Sequence, residues 1–406
     1  MRYFTGIYSA NGRTAKGAVD VKQTEYVICE AFSDDGVHWV KPELGLVEFQ
    51  GSKANNIIPR EMQYDYLTQD LHDPDPNKRY KAHVRKGDRL TYGMTFDYYY
   101  SPDGYKWTAY ENNPTIDTGK QLGRWGPTIF MGWDSIRKVY VMHMENNLHM
   151  SSPFNRRSIG RAESTDMIHW SPAETIIVTD KNDYPDTEFY GMPAITYENM
   201  YVGFLWNFST TNTKIYPRFA FSRDGLSYNR GCEEPIIANG DPGRFDSVAI
   251  YAEAPIVHNG EIFCYYTGTN WRSPEQLILL QEKATARIGL AKLPLDGFIS
   301  YEGAREEFSV VTTRSFGFSG RNLYINIQAA LPQWGAGPCE VRTELLDERH
   351  FPIKGFALED TDAITTTGTN QRVSWKGKND LSELEGRPVR VRISFKNAKL
   401  YAFQFR

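Results

Sequence analysis

Short apolar runs with polar residues at alternate positions recur along the chain, and this pattern is typical of half-buried β-strands. Examples are the runs 26–32, 94–100 and 218–221. Each of them leads into a short motif that begins with serine, carries aspartate at its third position and ends in an aromatic residue. The four copies of this turn motif are 33–39, 101–107, 164–170 and 222–228.

The turn motif predicts a tight turn between two strands, because aspartate and glycine tolerate positive φ and serine or aspartate side chains accept backbone N–H bonds. Its aspartates, Asp35, Asp103, Asp166 and Asp224, lie about 60 to 70 residues apart, which leaves room for about four strands per repeat. A degenerate fifth copy, 295–298, follows at a similar interval. Five such units predict a five-bladed β-propeller.

The third to fifth repeats predict their first two strands most clearly. These strands are 128–133 and 139–144, 194–197 and 201–206, and 256–258 and 262–266. The first repeat has no equivalent first strand, so either its blade is three-stranded or another segment supplies the inner strand. We assign residues 1–310 to the propeller.

Beyond residue 320 the turn motif is absent and plain alternation of apolar and polar residues takes over. The alternating runs are 323–327, 341–345, 389–395 and 400–405. They predict an antiparallel β-sandwich, assigned to residues 311–406, which is an ordinary domain size. The expected fold class is therefore all-β, a five-bladed β-propeller followed by an antiparallel β-sandwich.

The composition limits the kinds of molecule that the protein is expected to bind. The 406 residues carry a net charge of −4 and therefore no basic surface for nucleic acid. No apolar run approaches the ~18 residues that span a bilayer, and the start does not resemble a signal peptide, so we expect no membrane contact and, by default, a cytoplasmic location. The aromatic content of 14% favours packed β-structure, with sugar stacking as the alternative.

The cysteines and histidines give no sign of a metal centre. Cys29, Cys232, Cys264 and Cys339 are scattered over distant segments and are expected to be buried free thiols. No His/Cys/Asp group has the spacing of a zinc site, and no Gly-x-Ser-x-Gly sequence marks a nucleophilic serine. We expect no metal and no cofactor.

Several stretches along nearly the whole chain resemble one group of enzymes. They are SDDGVHW at 33–39, KPELGL at 41–46, DPDP at 73–76, DTEFYGMP at 186–193 and LYAFQFR at 400–406. The chain resembles the glycoside hydrolases of families 32 and 68, its propeller resembles those of families 43 and 62, and these stretches look like an uncharacterised bacterial branch described as glycosyl-hydrolase-like. The resemblance implies carbohydrate chemistry in the funnel of a propeller.

The resemblance also implies three acidic residues at the starts of the innermost strands. One aspartate is the nucleophile or base, a second orients the sugar or tunes the acid, and a glutamate donates the proton. Such chemistry needs one protonated carboxyl group to protonate the leaving oxygen and one ionised carboxylate to attack or to activate water.

Two positions depart from that pattern. Asp73 superficially matches the Arg-Asp-Pro motif of family 32, but aligning the repeats places it in the turn between the first two strands, which favours a structural role. The third repeat's counterpart of that motif has Gly126 in place of the acidic residue. Asp117 or Asp134 would have to replace it, and Asp134 is again expected in a turn.

Glu253 and Glu188 are the leading candidates for the acid and its partner. Glu253 precedes the strand 256–258 with the spacing of the family's proton donor; the alternative is a rim glutamate paired with arginine. Glu188 opens the first strand of the fourth repeat, and Asp186 lies two residues before it, on the same side of an extended chain. The alternative for this pair is a capped, solvated loop. Asp246 approaches the first strand of the fifth repeat as a further catalytic candidate.

The remaining candidates would bind substrate. Arg161 and Arg218 lie on strands and could bind hydroxyls or a carboxylate, although ion pairs between blades are favoured for both. Asp117, Tyr190 and Trp271 complete the set. We expect a glycosidase that acts on a furanoside-type (fructosyl or arabinosyl) or related glycoside; the alternative is a non-catalytic carbohydrate-binding propeller.

Overall fold

The structure, a computed structural model, describes residues 2–9, 25–59, 66–86, 95–117, 125–147, 156–231, 233–272, 276, 279–280, 283–329 and 337–406. Its regular structure is nearly all β, as the alternating pattern predicts. Short 3₁₀ helices occur at Pro76–Lys78, Leu358–Asp360 and Ser382–Leu384. No helix in this described part is long and apolar enough to cross a membrane.

The first three repeats form three separate antiparallel sheets. The first sheet contains β1 (Arg2–Ser9) and β2 (Glu25–Phe32). The second contains β3 (Tyr66–Gln69), β4 (Tyr80–Lys86), β5 (Thr95–Ser101), β6 (Thr108–Ala109) and β7 (Ile116–Asp117). The third contains β8 (Trp125–Asp134), β9 (Val139–Asn147), β10 (Arg157–Ser164) and β11 (Glu174–Ile177).

The fourth and fifth repeats share one nine-stranded sheet. The fourth contributes β12 (Thr187–Gly191), β13 (Ala194–Tyr197), β14 (Met200–Ser209), β15 (Ile215–Ser222) and β16 (Asn229–Arg230). The fifth contributes β17 (Ala249–Ala252), β18 (Ile256–His258), β19 (Glu261–Thr269) and β20 (Ala286–Pro294). The two repeats join where β15 and β17 run parallel, with Ile215 opposite Ala249.

The first strands of these two repeats begin earlier than the sequence pattern predicts. β12 precedes the expected strand β13, and β17 precedes the expected strand β18. Pro193 and Pro255 lie in the two interruptions, because a proline has no N–H to donate to a neighbouring strand. As a result, Glu253 follows a strand instead of opening one.

The turn motifs form the hydrogen bonds that their sequence predicts. In the first copy, Asp35 Oδ1 accepts the backbone N–H groups of Val37 and His38, both at 2.8 Å, and Ser33 Oγ accepts that of Gly36 at 2.8 Å. The copies around Asp103, Asp166 and Asp224 repeat this arrangement. The residue after the aspartate has positive φ throughout, at Gly36, Gly104, Met167 and Gly225.

Neighbouring repeats are held together by shared apolar cores, and the contacts run through the repeats in order. Trp107 of the second repeat packs with Ile28 of the first. Further clusters join the second repeat to the third, the third to the fourth, and the fourth to the fifth. The fifth repeat contacts the first, since Tyr265 donates a hydrogen bond to the Gly36 carbonyl and its ring lies 5.8 Å from that of Trp39.

The chain divides into two compact units, Met1–Ile256 with Phe263–Ala291, and Val257–Ile262 with Lys292–Arg406. The second unit contains two antiparallel sheets. One sheet comprises β21 (Tyr301–Glu302), β23 (Leu323–Ala329), β25 (Gly368–Arg372) and β27 (Ala398–Phe405). The other comprises β22 (Ser309–Thr312), β24 (Glu340–Leu346) and β26 (Arg390–Lys396).

The two sheets of the second unit bury one common core. Ile325 on β23 and Ile393 on β26 belong to it, together with Trp375, whose ring N–H donates to the Thr343 carbonyl at 2.7 Å. On β23 the alternate residues Leu323, Ile325 and Ile327 belong to this core, and on β26 Val391, Ile393 and Phe395 do, as a period of two requires. The predicted domain division between residues 310 and 311 stays a prediction.

Three cysteines are buried free thiols, namely Cys29, Cys264 and Cys339. Burial raises the pKa of the Cys264 thiol to about 12, which makes it a poor nucleophile. Cys232 lies outside the described residues.

Candidate active site

The first strands of the fourth and fifth repeats carry the main candidates, and their register relates the two. Glu188 on β12 lies opposite Phe208, Phe208 lies opposite Ile215, and Ile215 lies opposite Ala249 on β17. Glu188 and Ala249 therefore occupy one row across four strands. Glu253 lies four residues further along the direction of β17, about 13 Å at ~3.3 Å per residue.

Glu188 takes part in a half-buried ion-pair triad. Arg157 on β10 donates through Nη1 to Glu188 Oε2, and its Nε lies 3.1 Å from Glu145 Oε1 on β9. The Glu145 side chain is 7% exposed and that of Glu188 is 13% exposed. Burial opposes the charge of Arg157, but the two carboxylates raise its pKa above the ordinary value. A shared guanidinium thus links Glu188 to the third repeat.

Aromatic rings cover the site beside this triad. Tyr190, two residues after Glu188, has its ring 5.9 Å from that of Phe208 and 6.4 Å from that of Tyr251. The guanidinium of Arg157 lies 5.7 Å from both the Tyr190 and the Phe208 rings. The guanidinium of Arg272 lies 3.9 Å from the Phe208 ring. Phe208 is 4% exposed and belongs to the apolar core, whereas the half-buried rings of Tyr190 and Tyr251 are those that a sugar can reach.

Glu253 combines exposure with a poorly hydrated carboxyl group. The residue is exposed, yet surrounding protein removes hydration from its carboxyl group and raises the pKa of Glu253 to about 7. The side chain makes no hydrogen bond or ion pair with any residue that the structure describes. Its backbone N–H donates to the Tyr265 carbonyl at 2.9 Å, which fixes its position beside β19. This combination fits a carboxyl group in an open concave surface.

Asp186 and Asp246 are hydrogen-bonded to residues other than Glu188 and Glu253. Asp186 accepts a hydrogen bond from the Ser209 hydroxyl, which lowers the pKa of its carboxyl group, so it caps the loop after β14. Asp246 bonds to the Tyr266 hydroxyl, and Tyr266 lies opposite Ala252 on the neighbouring strand. Asp246 itself lies in the turn before β17.

The predicted arginines lie in ion pairs away from Glu188. Arg161 is 2% exposed and donates through Nη2 to Asp134 Oδ2 at 2.8 Å. It also donates to the Gly225 carbonyl of the next repeat at 3.3 Å, so this hydrogen bond, and not the ion pair with Asp134 in its own repeat, crosses between repeats. Arg218 lies with its Nη1 3.8 Å from Asp183 Oδ1. Asp117 ends β7, where it lies opposite Thr95.

Trp271 lies next to the site because the residue that follows it, Arg272, contacts the aromatic rings there. The residue is half-buried, and its carbonyl accepts a hydrogen bond from the Thr269 hydroxyl. Arg272, the next residue, reaches the Phe208 and Tyr190 rings. The structure therefore brings Glu188, Tyr190 and the segment after β19 together.

Four participants are missing from the sequence-based set: Glu145, Arg157, Tyr251 and Arg272. Glu145 carries a usable signal, because it follows the apolar alternation of β9 and, like Glu253, would be costly to bury without a partner. The other three carry none that distinguishes them from ordinary strand residues. Within the described ranges, no group of three or more His, Cys, Asp or Glu residues is arranged to hold a metal ion.

No protein-family model matches the sequence, and no curated protein sequence matches it. Among solved structures, the chain is similar to a fructofuranosidase variant from Schwanniomyces occidentalis in complex with fructosylnystose, at 12% identity over 98% of this chain and 91% of that chain, with a TM-score of 0.39. It is also similar to a thermostable family-43 glycoside hydrolase, at 12% identity over 72% of this chain and 86% of that chain, with a TM-score of 0.46. A third is the β-1,2-mannobiose phosphorylase from Listeria innocua in complex with β-1,2-mannobiose, at 13% identity over 67% of this chain and 68% of that chain, with a TM-score of 0.44. The function of this chain is therefore argued from the site itself.

Proposed function

We propose that the protein is a glycoside hydrolase in which Glu253 is the general acid. The observation that carries this proposal is an exposed glutamate without a partner among the described residues, beside aromatic rings on adjacent strands. A general acid must hold a proton before the glycosidic bond breaks and must be reached by the leaving oxygen. A pKa of about 7 leaves about half of the Glu253 carboxyl groups protonated at neutral pH.

We propose that the fold around Glu253 is a five-bladed propeller followed by a sandwich. The contacts between successive repeats, and the hydrogen bond from Tyr265 to Gly36 that returns from the fifth repeat to the first, support a closed ring. A closed ring of sheets places the first strand of each blade around a central funnel. The shared core of the second unit supports the sandwich.

Glu188 is the second carboxylate of the proposed pair, with Asp186 and Asp246 as supporting groups. The Arg157 guanidinium beside Glu188 stabilises negative charge there, as a base or nucleophile requires. We keep a fructosyl or arabinosyl furanoside as the proposed substrate, since the resemblance to families 32 and 43 implies it.

One observation favours a second function, a non-catalytic carbohydrate-binding protein. The axial offset of about 13 Å between Glu188 and Glu253 exceeds the ~5–9.5 Å that separates the two carboxyl groups of glycosidases. Arg157 and Tyr190 would then bind a sugar that is never cleaved. Turnover separates the two functions, because only the enzyme releases a reducing sugar.

The test is hydrolysis of fructosides, arabinosides and xylosides by the intact chain and by Glu253→Gln. The isosteric amide cannot donate the proton, so we expect kcat/KM to fall by at least about 10²-fold, the low end for positioned acid–base groups. Glu261→Gln is the matched control, since Glu261 is a surface glutamate on β19 that pairs with Lys292. The control should keep its activity within about twofold.

The pH profile provides an independent check. If Glu253 is the acid, kcat/KM falls as the pH rises through about 7, because the proton that it must donate is lost. Unchanged activity in Glu253→Gln rejects the assignment. Binding of these sugars without turnover at any pH instead supports the carbohydrate-binding protein.

A further inference from the structure

Arg272 lies beyond the end of β19 in a fixed position. Its guanidinium is 3.9 Å from the Phe208 ring centroid and 5.4 Å from that of Tyr190. Its backbone N–H donates to Gln276 Oε1 at 2.7 Å, and Gln276 in turn donates to Thr213 Oγ1 at 3.0 Å. The stacking and the backbone bond together restrict where the guanidinium can point.

The charge of Arg272 is not neutralised by the described part of the chain. No carboxylate there forms an ion pair with it, and none of its side-chain nitrogens donates a hydrogen bond there. The Nε atom is buried without a partner, whereas the two terminal nitrogens are not among such buried atoms and so reach solvent. The four N–H donors of these two terminal nitrogens thus remain for water or a ligand.

The neighbouring Arg157 differs from Arg272 in that carboxylates neutralise its charge. It lies over the same two rings, but Glu145 and Glu188 both neutralise it. An arginine that serves packing alone can be paired in this way. Arg272 keeps a free planar fork of donors, and such a fork matches the two oxygens of a carboxylate or sulfate.

Arg272 also borders the proposed catalytic group. The Tyr190 ring under its guanidinium lies 6.4 Å from the ring of Tyr251. Tyr251 and Glu253 are two residues apart, so their side chains lie on the same side of an extended segment. A sugar that occupies this row of rings would extend from Glu253 toward Arg272.

We propose that Arg272 binds an anionic substituent of the substrate, so that the ligand of this site is an acidic oligosaccharide carrying carboxylate or sulfate groups. The proposal rests on the proposed function in taking a carbohydrate as the ligand, but it does not require that the sugar be cleaved. The two terminal nitrogens donate to the anion, and the Phe208 ring holds the guanidinium in plane behind them. A neutral sugar would leave this cation without a counter-charge.

The experiment measures binding to the full chain carrying Glu253→Gln, so that turnover does not interfere. The probes are tetragalacturonate with its carboxyl-reduced counterpart, and a sulfated carrageenan tetrasaccharide with its desulfated counterpart. Isothermal titration calorimetry gives the four values of Kd. We expect one acidic probe to bind about 10- to 100-fold more tightly than its neutral counterpart, the range of a charge-assisted hydrogen-bonded contact. The probe that shows the preference identifies carboxylate or sulfate.

Arg272→Met in the same protein should reduce this acidic-to-neutral ratio to near one and change binding of the neutral probe by less than about threefold. Arg272→Lys keeps the charge but not the fork, so it should retain an intermediate ratio. Arg223→Met is the matched control, because Arg223 bonds to Asn199 on an exposed turn, and it should leave the ratio unchanged. Thermal unfolding of each variant checks that it is folded.

Equal binding of acidic and neutral probes to the parent protein overturns the proposal, as does a preference that survives Arg272→Met or a failure of all four probes to bind. These results are distinct from those that test catalysis. A chain that cleaves neutral furanosides and ignores charge keeps the proposed function and loses this inference. A chain that prefers an acidic probe through Arg272 and cleaves nothing keeps this inference and loses the proposed function.

Discussion

Arg161 and Arg272 both lie near aromatic rings, but they differ in what neutralises their charge. Arg161 lies 5.8 Å from the Tyr201 ring and donates to Asp134 and Glu163, each at 2.8 Å. Arg272 lies over Phe208 and has no carboxylate partner in the described part of the chain. The first arginine joins two repeats, whereas the second faces solvent beside the candidate site.

The carboxylates show the same difference, and their pKa values shift in opposite directions. Burial of Asp134 opposes its ionisation, but the backbone N–H of Arg137 and the side chains of Arg161 and Tyr201 lower its pKa below the ordinary value. Glu253 lacks such donors, and loss of hydration alone raises its pKa to about 7. A complete set of partners therefore marks a structural charge, and an incomplete set marks a group that can meet a ligand.

Removing a structural charge should have the largest effect on stability. Asp134→Ala leaves Arg161 buried without its main counter-charge and also removes the acceptor of the Tyr201 hydroxyl. We expect the free energy of unfolding to fall by about 3–5 kcal/mol, the usual cost of breaking a buried pair. Urea unfolding followed by tryptophan fluorescence measures this change.

The double variant Asp134→Leu with Arg161→Met is the control. It removes both charges, so it should lose less stability than Asp134→Ala alone. A loss below about 1 kcal/mol in Asp134→Ala would mean that the ion pair with Arg161 and the hydrogen bond from Tyr201 of the fourth repeat contribute little to stability, and the contrast with Arg272 would fail.

The buried histidines sharpen the comparison, because they lack charged partners and stay neutral. His83 Nε2 lies 3.2 Å from the Met167 carbonyl, and burial lowers the pKa of His83 to about 4. Below the ordinary pKa of about 6.5 the unfolded chain takes up a proton that folded His83 refuses, so stability falls between about pH 6.5 and pH 4. We expect this group to contribute roughly 3 kcal/mol of that loss.

Unfolding free energies of the parent chain and of His83→Gln at pH 7.5 and pH 4.5 measure this contribution. Glutamine keeps an N–H donor but does not titrate, so its pH dependence should be smaller by that amount. His143 is the second group of this kind, since burial lowers its pKa to about 3, and it should account for a similar share. An identical pH dependence in His83→Gln would show that His83 does not govern the acid response.

The local features of this fold could be predicted from sequence, because they depend on residues close together in the chain. The turn around Asp35 follows from hydrogen bonds to residues two and three positions away. The strands β13 and β18 follow from alternation over a few residues. The break between β17 and β18 does not follow from alternation, because the pattern alone does not mark Pro255 as an interruption within a longer strand.

Most of the site could not be predicted, because its partners come from different repeats. Arg157 meets Glu188, 31 residues later, through the packing of β10 against β12. Arg272 meets Phe208 from a strand end in the next repeat. Alternation reveals that a charge lies on a strand, but only the packing of the repeats decides which carboxylate or ring it will contact. Glu253 was accessible to sequence reasoning because its isolation in an apolar stretch is a local property.

Substitution of a turn aspartate should have the smallest effect on stability. Its charge is stabilised by backbone N–H groups near water, whereas that of Asp134 is stabilised by a buried cation. Asp224 Oδ1 accepts the N–H groups of Leu226 and Ser227, both at 2.8 Å, and these donors lower the pKa of its carboxyl group. Asp224→Ala should cost about 1 kcal/mol, since water can reach the freed donors, and Asp224→Asn should recover part of it. Urea unfolding of both variants beside Asp134→Ala tests the ranking. If Asp224→Ala cost as much as Asp134→Ala, pairing with a buried cation would not distinguish structural charges from surface charges in this chain.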